Sequence, residues 1–233
     1  MRNVIITGSS SGIGMATAKE LDTGAYRMII AGRNEDKLRQ LSESLSCEHI
    51  VHVGDVREYS DCQRMVQTSL ESWGGVDVLV NNAGLGYFDP LETGKIEEWH
   101  NMVDINIKGV LNCLHAALPT LKVRDGHVIN LGSVASHQVF PDSGIYCATK
   151  HALLAISKSI HLELKGRVKV TTISPGQVDT DFVNKTTNDE IRTKMKDYFA
   201  SGLRPSDIAA QIRHAIEAPK GVVINEIIVR PFK

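Results

Sequence analysis

The stretch Val4-Ile5-Ile6-Thr7-Gly8-Ser9-Ser10-Ser11-Gly12-Ile13-Gly14 decides the fold. Its first part is a β-branched, wholly apolar run, as expected of a strand covered on both faces. Its second part is rich in Gly and Ser, and a helix-period segment near 13–22 follows it. Gly8, Gly12 and Gly14 permit a tight turn and a close backbone approach to a pyrophosphate. The free N–H groups and partial positive charge of the helix start favour the same ligand. The Gly-x3-Gly-x-Gly spacing differs from G-x-G-x-x-G and lacks the Gly-Lys-Ser/Thr ending of a nucleotide-hydrolysing loop. Between a strand and a helix, this turn points to dinucleotide binding. By itself, a Gly/Ser turn is equally a plain loop.

The alternation continues outward. Further strand-like runs fall at 28–31, 50–53, 76–80, 127–131, 168–173 and 227–229, with helix-period segments near 35–46, 60–72, 96–120, 144–165 and 205–217. This pattern predicts an α/β fold: one doubly wound (Rossmann) domain over residues 1–233, with a seven-stranded parallel sheet and helices on both faces. Ligands of such sheets bind at the carboxyl ends of the strands. Composition bounds the alternatives. With 42% hydrophobic and 23% charged residues the chain is globular, and a net charge of −1 argues against a nucleic-acid surface or a polybasic membrane anchor. No apolar run approaches the ~18 residues of a membrane span. Strand-like residues from Asn3 leave no room for a signal peptide, and four cysteines without ligand spacing read as reduced thiols. A cytoplasmic protein without a metal site is the expectation.

Several strand ends carry candidate ligand contacts. Gly32-Arg33 stands where a carboxylate would hold a ribose 2′-hydroxyl. Glycine leaves space there, and Arg33 offers a fork for a phosphate or, alternatively, a partner for Glu35 or Asp36. Asp55, followed by Val56, either accepts from an adenine amino group or serves as a turn residue. Asn81-Asn82-Ala83-Gly84 is a turn by composition, small enough for a cofactor to lie against its backbone. Asn106 sits inside a helical segment, where Asn competes for backbone groups. It either faces water or marks a helix distortion serving a site. Pro175-Gly176 marks a sharp turn before Val178 and Thr180. In 181–203, four acidic and four basic residues balance, and Phe182, Tyr198 and Phe199 either pack over a ligand or hold a helix in place.

The chemistry concentrates between Asn130 and His151. Tyr146 and Lys150 are four residues apart, on one face of the helix expected there. A nearby cation favours phenolate and lowers a tyrosine's pKa from its free value near ~10. Ser133, at a strand end, supplies a hydroxyl for a substrate oxygen. On an arbitrary helix the same Tyr-x-x-x-Lys is a solvated pair.

In this order the motifs resemble the short-chain dehydrogenase/reductase family over nearly the whole chain. The matching features are the turn 7–14, Asp55, 81–84, Asn106, Ser133 thirteen residues before Tyr146, Lys150, and 175–180. The resemblance implies that Tyr146 is the general acid-base. Lys150 lowers its pKa and holds the nicotinamide ribose. Ser133 orients the substrate oxygen, and Asn106 positions water in a proton relay. Gly8, Ser10, Ser11, Gly12, Ile13, Gly14, Arg33, Asp55, Val56, Asn81, Ala83, Gly84, Pro175, Gly176, Val178 and Thr180 bind cofactor, with Tyr146 and Lys150. Residues 181–203 are a substrate lid. Arg33 resembles the members that prefer NADP(H) over NAD(H), although Ser11 stands where many of those are basic. The short C-terminus resembles the branch acting on small 3-hydroxy acids and serine-like substrates. A 3-oxoacyl thioester or simple ketone is the alternative substrate, and a non-catalytic cofactor sensor the alternative class. A homodimer or homotetramer is implied.

Overall fold

The computed structural model describes residues 1–232. Seven strands form one wholly parallel sheet: β1 (Arg2–Thr7), β2 (Tyr26–Gly32), β3 (His49–Val53), β4 (Val78–Asn81), β5 (His127–Leu131), β6 (Lys169–Pro175) and β7 (Glu226–Val229). Their order is β3-β2-β1-β4-β5-β6-β7. The chain winds outward from β1 to β3, then returns to lay β4 beside β1. The crevice at that reversal lies over the carboxyl ends of β1 and β4.

The helices are α1 (Gly12–Glu20), α2 (Glu35–Glu43), α3 (Tyr59–Trp73), α4 (Ile96–Val103), α5 (Gly109–Val123), α6 (Gly144–Glu163), α7 (Asp189–Ala200) and α8 (Pro205–Ile216). Strand side chains alternate between two cores, as the two-residue period requires. Val4 and Ile6 of β1, Met28 and Ile30 of β2, and Val78 and Val80 of β4 pack with Leu21, Ile208 and Ile212 on one face. Ile5, Ile29 and Leu79 pack on the other, with Val66 of α3, Leu114 of α5 and Leu153 of α6. Strands covered on both faces have no polar side to show, so they appear in the sequence as continuous apolar runs. Each fully buried Ile or Leu contributes roughly 1.5–3 kcal/mol.

Two departures from the expected elements matter. The helix expected over 96–120 is three pieces, because residues Asp104–Lys108 form a π-helical turn between α4 and α5. Residues 189–200 form α7, whose Ile191, Met195 and Phe199 fall at helical spacing on one half-buried face, with no residue fully buried. Its start is set by Asn188, whose side chain accepts from the Ile191 N–H, and by Asp189 and Glu190 in the first turn. Among the described residues no helix is long and apolar enough to cross a membrane.

Candidate active site

The glycine turn is clamped to the end of β4. Thr7 Oγ1 accepts from the N–H groups of Asn82 and Ala83, both at 3.1 Å, and donates to Val80 O at 3.2 Å. Asn82 Nδ2 donates to Thr7 O at 2.8 Å and Gly8 O at 3.2 Å. Gly8 has φ +69°, which favours glycine. Gly14 is the tightest point: a Cβ there would lie 2.4 Å from Gly8 O and 2.5 Å from Asn82 Nδ2. The turn therefore accepts only backbone at Gly14, and α1 starts directly against it. Ser11, at the N-cap, makes no side-chain cap, so the N–H groups of the first turn lack that partner. A backbone cradle, a helix start and a cleft of about 800 Å³ reaching from Arg33 to Tyr146 fit an extended dinucleotide.

At the far end of the cleft, Ser10 lies against Gly32, with its Oγ 3.4 Å from where a Cβ at position 32 would stand. Arg33 does not pair with Glu35, which is engaged by Arg39 at 2.6 Å. Half-exposed, it leans toward Asp55 at 3.8 Å. Asp55 Oδ2 accepts from Arg57 Nη2 at 2.6 Å and Nε at 3.0 Å. Burial pushes the Asp55 carboxyl up, but the bonds from Arg57 and the charge of Arg33 outweigh it and hold it below its ordinary value. Lys185 reaches the same rim from the short helical turn Asp181–Lys185. Partial burial, then the charges of Arg33 and Arg57, hold its ammonium below its ordinary value. The sequence showed Lys185 only as one of four balanced cations; its approach to Arg33 depends on how the chain returns after β6.

At the other end, Ser133, Tyr146 and Lys150 line one wall. Ser133 follows β5 and N-caps the short turn Val134–Ser136, its Oγ accepting from Ala135 N at 3.1 Å. Tyr146 and Lys150 share a face of α6, with Lys150 Nζ 5.8 Å from the tyrosine ring centroid. Nζ donates to Leu131 O at 2.7 Å. The electrostatics run against the expectation that the cation lowers the phenol. Burial pushes Tyr146 up to about 12, and the Ser133 hydroxyl, not Lys150, is the group pulling it back. Burial also brings Lys150 down to about 8. Desolvation disfavours both charged forms, and no effect of one group on the other offsets it. At neutral pH Tyr146 is therefore a phenol, a proton donor held against the cleft.

Asn106 lies in the π-helical turn, so the helix distortion considered from its position is present. It is buried. Its Oδ1 accepts from Leu85 N at 3.0 Å, and its Nδ2 donates to Leu85 O at 2.8 Å and Thr149 Oγ1 at 3.1 Å. It thereby ties the segment after β4 to α6, one residue before Lys150. A Cβ on Gly84 would stand 3.3 Å from Asn106 Oδ1 and 3.8 Å from Lys150 Nζ, so both groups flank that glycine. Ile13, Val56, Ala83, Pro175, Gly176, Val178 and Thr180 also line the cleft. Gly176 is anchored by its N–H to Val229 O at 2.7 Å.

Three of the expected residues do not line it. Gly14 is packed beneath the turn, and Asn106 acts from behind Gly84. Asn81 belongs to the sheet interior: its Nδ2 donates to Asn130 Oδ1 of β5 at 2.9 Å. The strand runs one residue further than the turn composition suggests, so Asn81 points into the core and Asn82 is the strut. Sequence reasoning also passed over Phe88. Its ring lies 5.7 Å from that of Tyr146, 6.2 Å from Phe182 and 6.3 Å from Phe199, while Phe182 lies 5.5 Å from Tyr146. A lone Phe in an irregular segment carries no periodic signal.

A family model described as short chain dehydrogenase matches residues 2–191. An uncharacterised oxidoreductase of Staphylococcus saprophyticus is 35% identical over 233 residues, covering 98% of this chain and 95% of that protein. Among solved structures, an alcohol dehydrogenase from the archaeon Thermococcus sibiricus, complexed with 5-hydroxy-NADP, superposes with TM-score 0.88. It is 33% identical, with 99% of this chain and 96% of that one covered. The closed form of a serine dehydrogenase complexed with NADP+ gives TM-score 0.90 at 29% identity, covering 98% and 94%.

Proposed function

Since the chain belongs to the short chain dehydrogenase family, we propose that it is an NADP(H)-dependent oxidoreductase interconverting a secondary alcohol and a carbonyl. The carrying observation is the juxtaposition in one cleft of a backbone cradle at the start of α1 with Ser133, Tyr146 and Lys150. When bound, the nicotinamide cofactor supplies or accepts the hydride. Gly8, Gly12 and the first turn of α1 hold its pyrophosphate. Lys150 holds the nicotinamide ribose. Ser133 Oγ fixes the substrate oxygen. Tyr146 gives its phenolic proton to that oxygen in reduction and removes it in oxidation. Asn106 positions water behind Gly84 for proton return toward Lys150.

Preference for NADP(H) rests on Arg33 and, beside it, Lys37 and Lys185 at the cleft rim, where no carboxylate occupies position 32. The two superposed NADP complexes are consistent with it. Residues 181–203 serve as the substrate lid of a single domain. They are tied down where Thr187 Oγ1 donates to Glu98 Oε1 at 2.6 Å and where Val178 bridges Leu203. Val103, Leu111 and Leu162, exposed on α4, α5 and α6, suit a homodimer or homotetramer interface. The likeness to a serine dehydrogenase speaks for a small hydroxy acid, and the aromatic side chains beside Tyr146 speak against it. The test is absorbance of NADPH and NADH followed against a carbonyl panel. Turnover of at least one carbonyl supports the enzyme; tight cofactor binding without turnover of any supports a sensor instead.

A further inference from the structure

We infer that the substrate is an uncharged carbonyl compound, or its alcohol, bearing an aryl or comparably flat apolar group; this rests on the oxidoreductase reading above. The cleft beside the Tyr146 ring carries three Phe rings. Phe88, Phe182 and Phe199 stand 6.1–6.3 Å from one another, and Phe88 and Phe182 each meet the Tyr146 ring at 5.7 and 5.5 Å. Their interplanar angles, from 34° to 65°, are those of tilted and edge-to-face packing, so ring edges and faces are both presented.

These rings come from three separate segments, and the backbone is shaped to admit one of them. A Cβ on Gly86 would lie 2.8 Å from Cε1 and Cζ of Phe182, so any side chain at position 86 would displace that ring.

Two polar side chains of the same wall are engaged within the protein. Ser143 Oγ donates to Pro141 O at 3.0 Å, and Gln177 Oε1 accepts from the Tyr198 hydroxyl at 3.2 Å. Arg33, Lys37 and Lys185 stand at the end of the cleft formed by β2 and the turn after β6. Lys194, exposed on α7, is the remaining cation besides Lys150 among the described lining residues. A carboxylate brought to Tyr146 would be stripped of water and face rings, with Lys150, which already donates to Leu131 O, as its one buried cation. A phenyl group there would replace water against aromatic carbon. In reduction, the carbonyl carbon gains the hydride, the π electrons move to oxygen, Tyr146 supplies the proton, and the nicotinamide is left oxidised.

The test compares acetophenone, 2-octanone and 3-oxobutanoate as substrates of the NADPH-loaded enzyme. Acetophenone is expected to exceed 3-oxobutanoate in kcat/KM by about 100-fold, since a buried phenyl ring is favoured where a carboxylate is not. Phe182→Ala should lower kcat/KM for acetophenone by about 10- to 30-fold, on the scale of one lost ring contact, with NADPH affinity unchanged. Gly86→Ala, a smaller change for the fold, should lower acetophenone turnover selectively. Lys194→Ala should leave the preference for acetophenone over 3-oxobutanoate in place. Preference for 3-oxobutanoate, lost on Lys194→Ala, overturns the inference. If nothing is turned over, calorimetry of 1-phenylethanol against 3-hydroxybutanoate on the NADPH complex decides. Binding of the aryl alcohol alone keeps the pocket assignment while the catalytic reading fails, and binding of the acid alone removes the pocket assignment.

Discussion

The glycine turn at residues 7–14 and the ring wall at Phe88, Phe182 and Phe199 face one cleft but are built from opposite materials. The turn is backbone: its geometry depends on a positive φ at Gly8 and on Gly14 having no side chain within reach of Gly8 O. The wall is side chain, assembled from an irregular segment, a short helical turn and α7. A backbone site can be met by few residue types, so it marks the sequence. A wall of Phe can be met by most apolar residues, and a Phe facing a cleft reads in sequence like a Phe facing a core. The difference teaches which half of the site a chain of this fold must keep and which half it is free to change.

The largest effect should therefore come from the cradle. Gly14→Ala places a methyl 2.4 Å from a carbonyl oxygen and forces the turn to move. NADPH and NADH binding should both weaken by about 100-fold or more, equivalent to roughly 2.7 kcal/mol. Fluorescence titration of both cofactors checks this, with circular dichroism to confirm folding. A folded variant with unchanged affinity would mean that the cofactor does not lie on this turn.

A smaller and selective effect should come from the rim. Arg33 is half-exposed and engaged with Asp55 only at 3.8 Å, so it is available to a phosphate. Hydrogen bonds to charged groups contribute about 1.5–3 kcal/mol, and solvent exposure places Arg33 at the lower end. Arg33→Ala should raise Kd for NADPH about 10-fold, barely change that for NADH, and reduce the salt sensitivity of NADPH binding. Equal weakening of both cofactors, or a wild type that prefers NADH, would leave the 2′-phosphate to other groups.

The same contrast explains what could be read from the chain. The strand runs were legible because burial on both faces removes polar residues from them, and β1 is the clearest case, with Val4 and Ile6 on one core and Ile5 on the other. Tyr146 and Lys150 were legible because helical spacing fixes their shared face. Asn81 was misplaced by one residue: turn composition cannot say where a strand's hydrogen-bond ladder stops, and here it runs through Asn81, paired with Asn130. The direction of the Tyr146 shift was not legible either. Spacing gives the distance to Lys150 but not the burial that dominates it. α7 was passed over although Ile191, Met195 and Phe199 keep helical spacing, because charged residues outnumber them and none of its side chains is fully buried.

The central claim is that the Tyr146 phenol moves the proton. Tyr146→Phe keeps the ring that packs on Phe88 and Phe182 and removes only the hydroxyl. NADPH affinity measured by fluorescence and kcat measured with the best carbonyl of the panel should separate cleanly. Affinity should stay within about twofold while kcat falls by about 10²–10⁴-fold, the usual range for a general acid-base. A variant retaining more than about a third of wild-type kcat, with chemistry shown to limit turnover, would contradict the account.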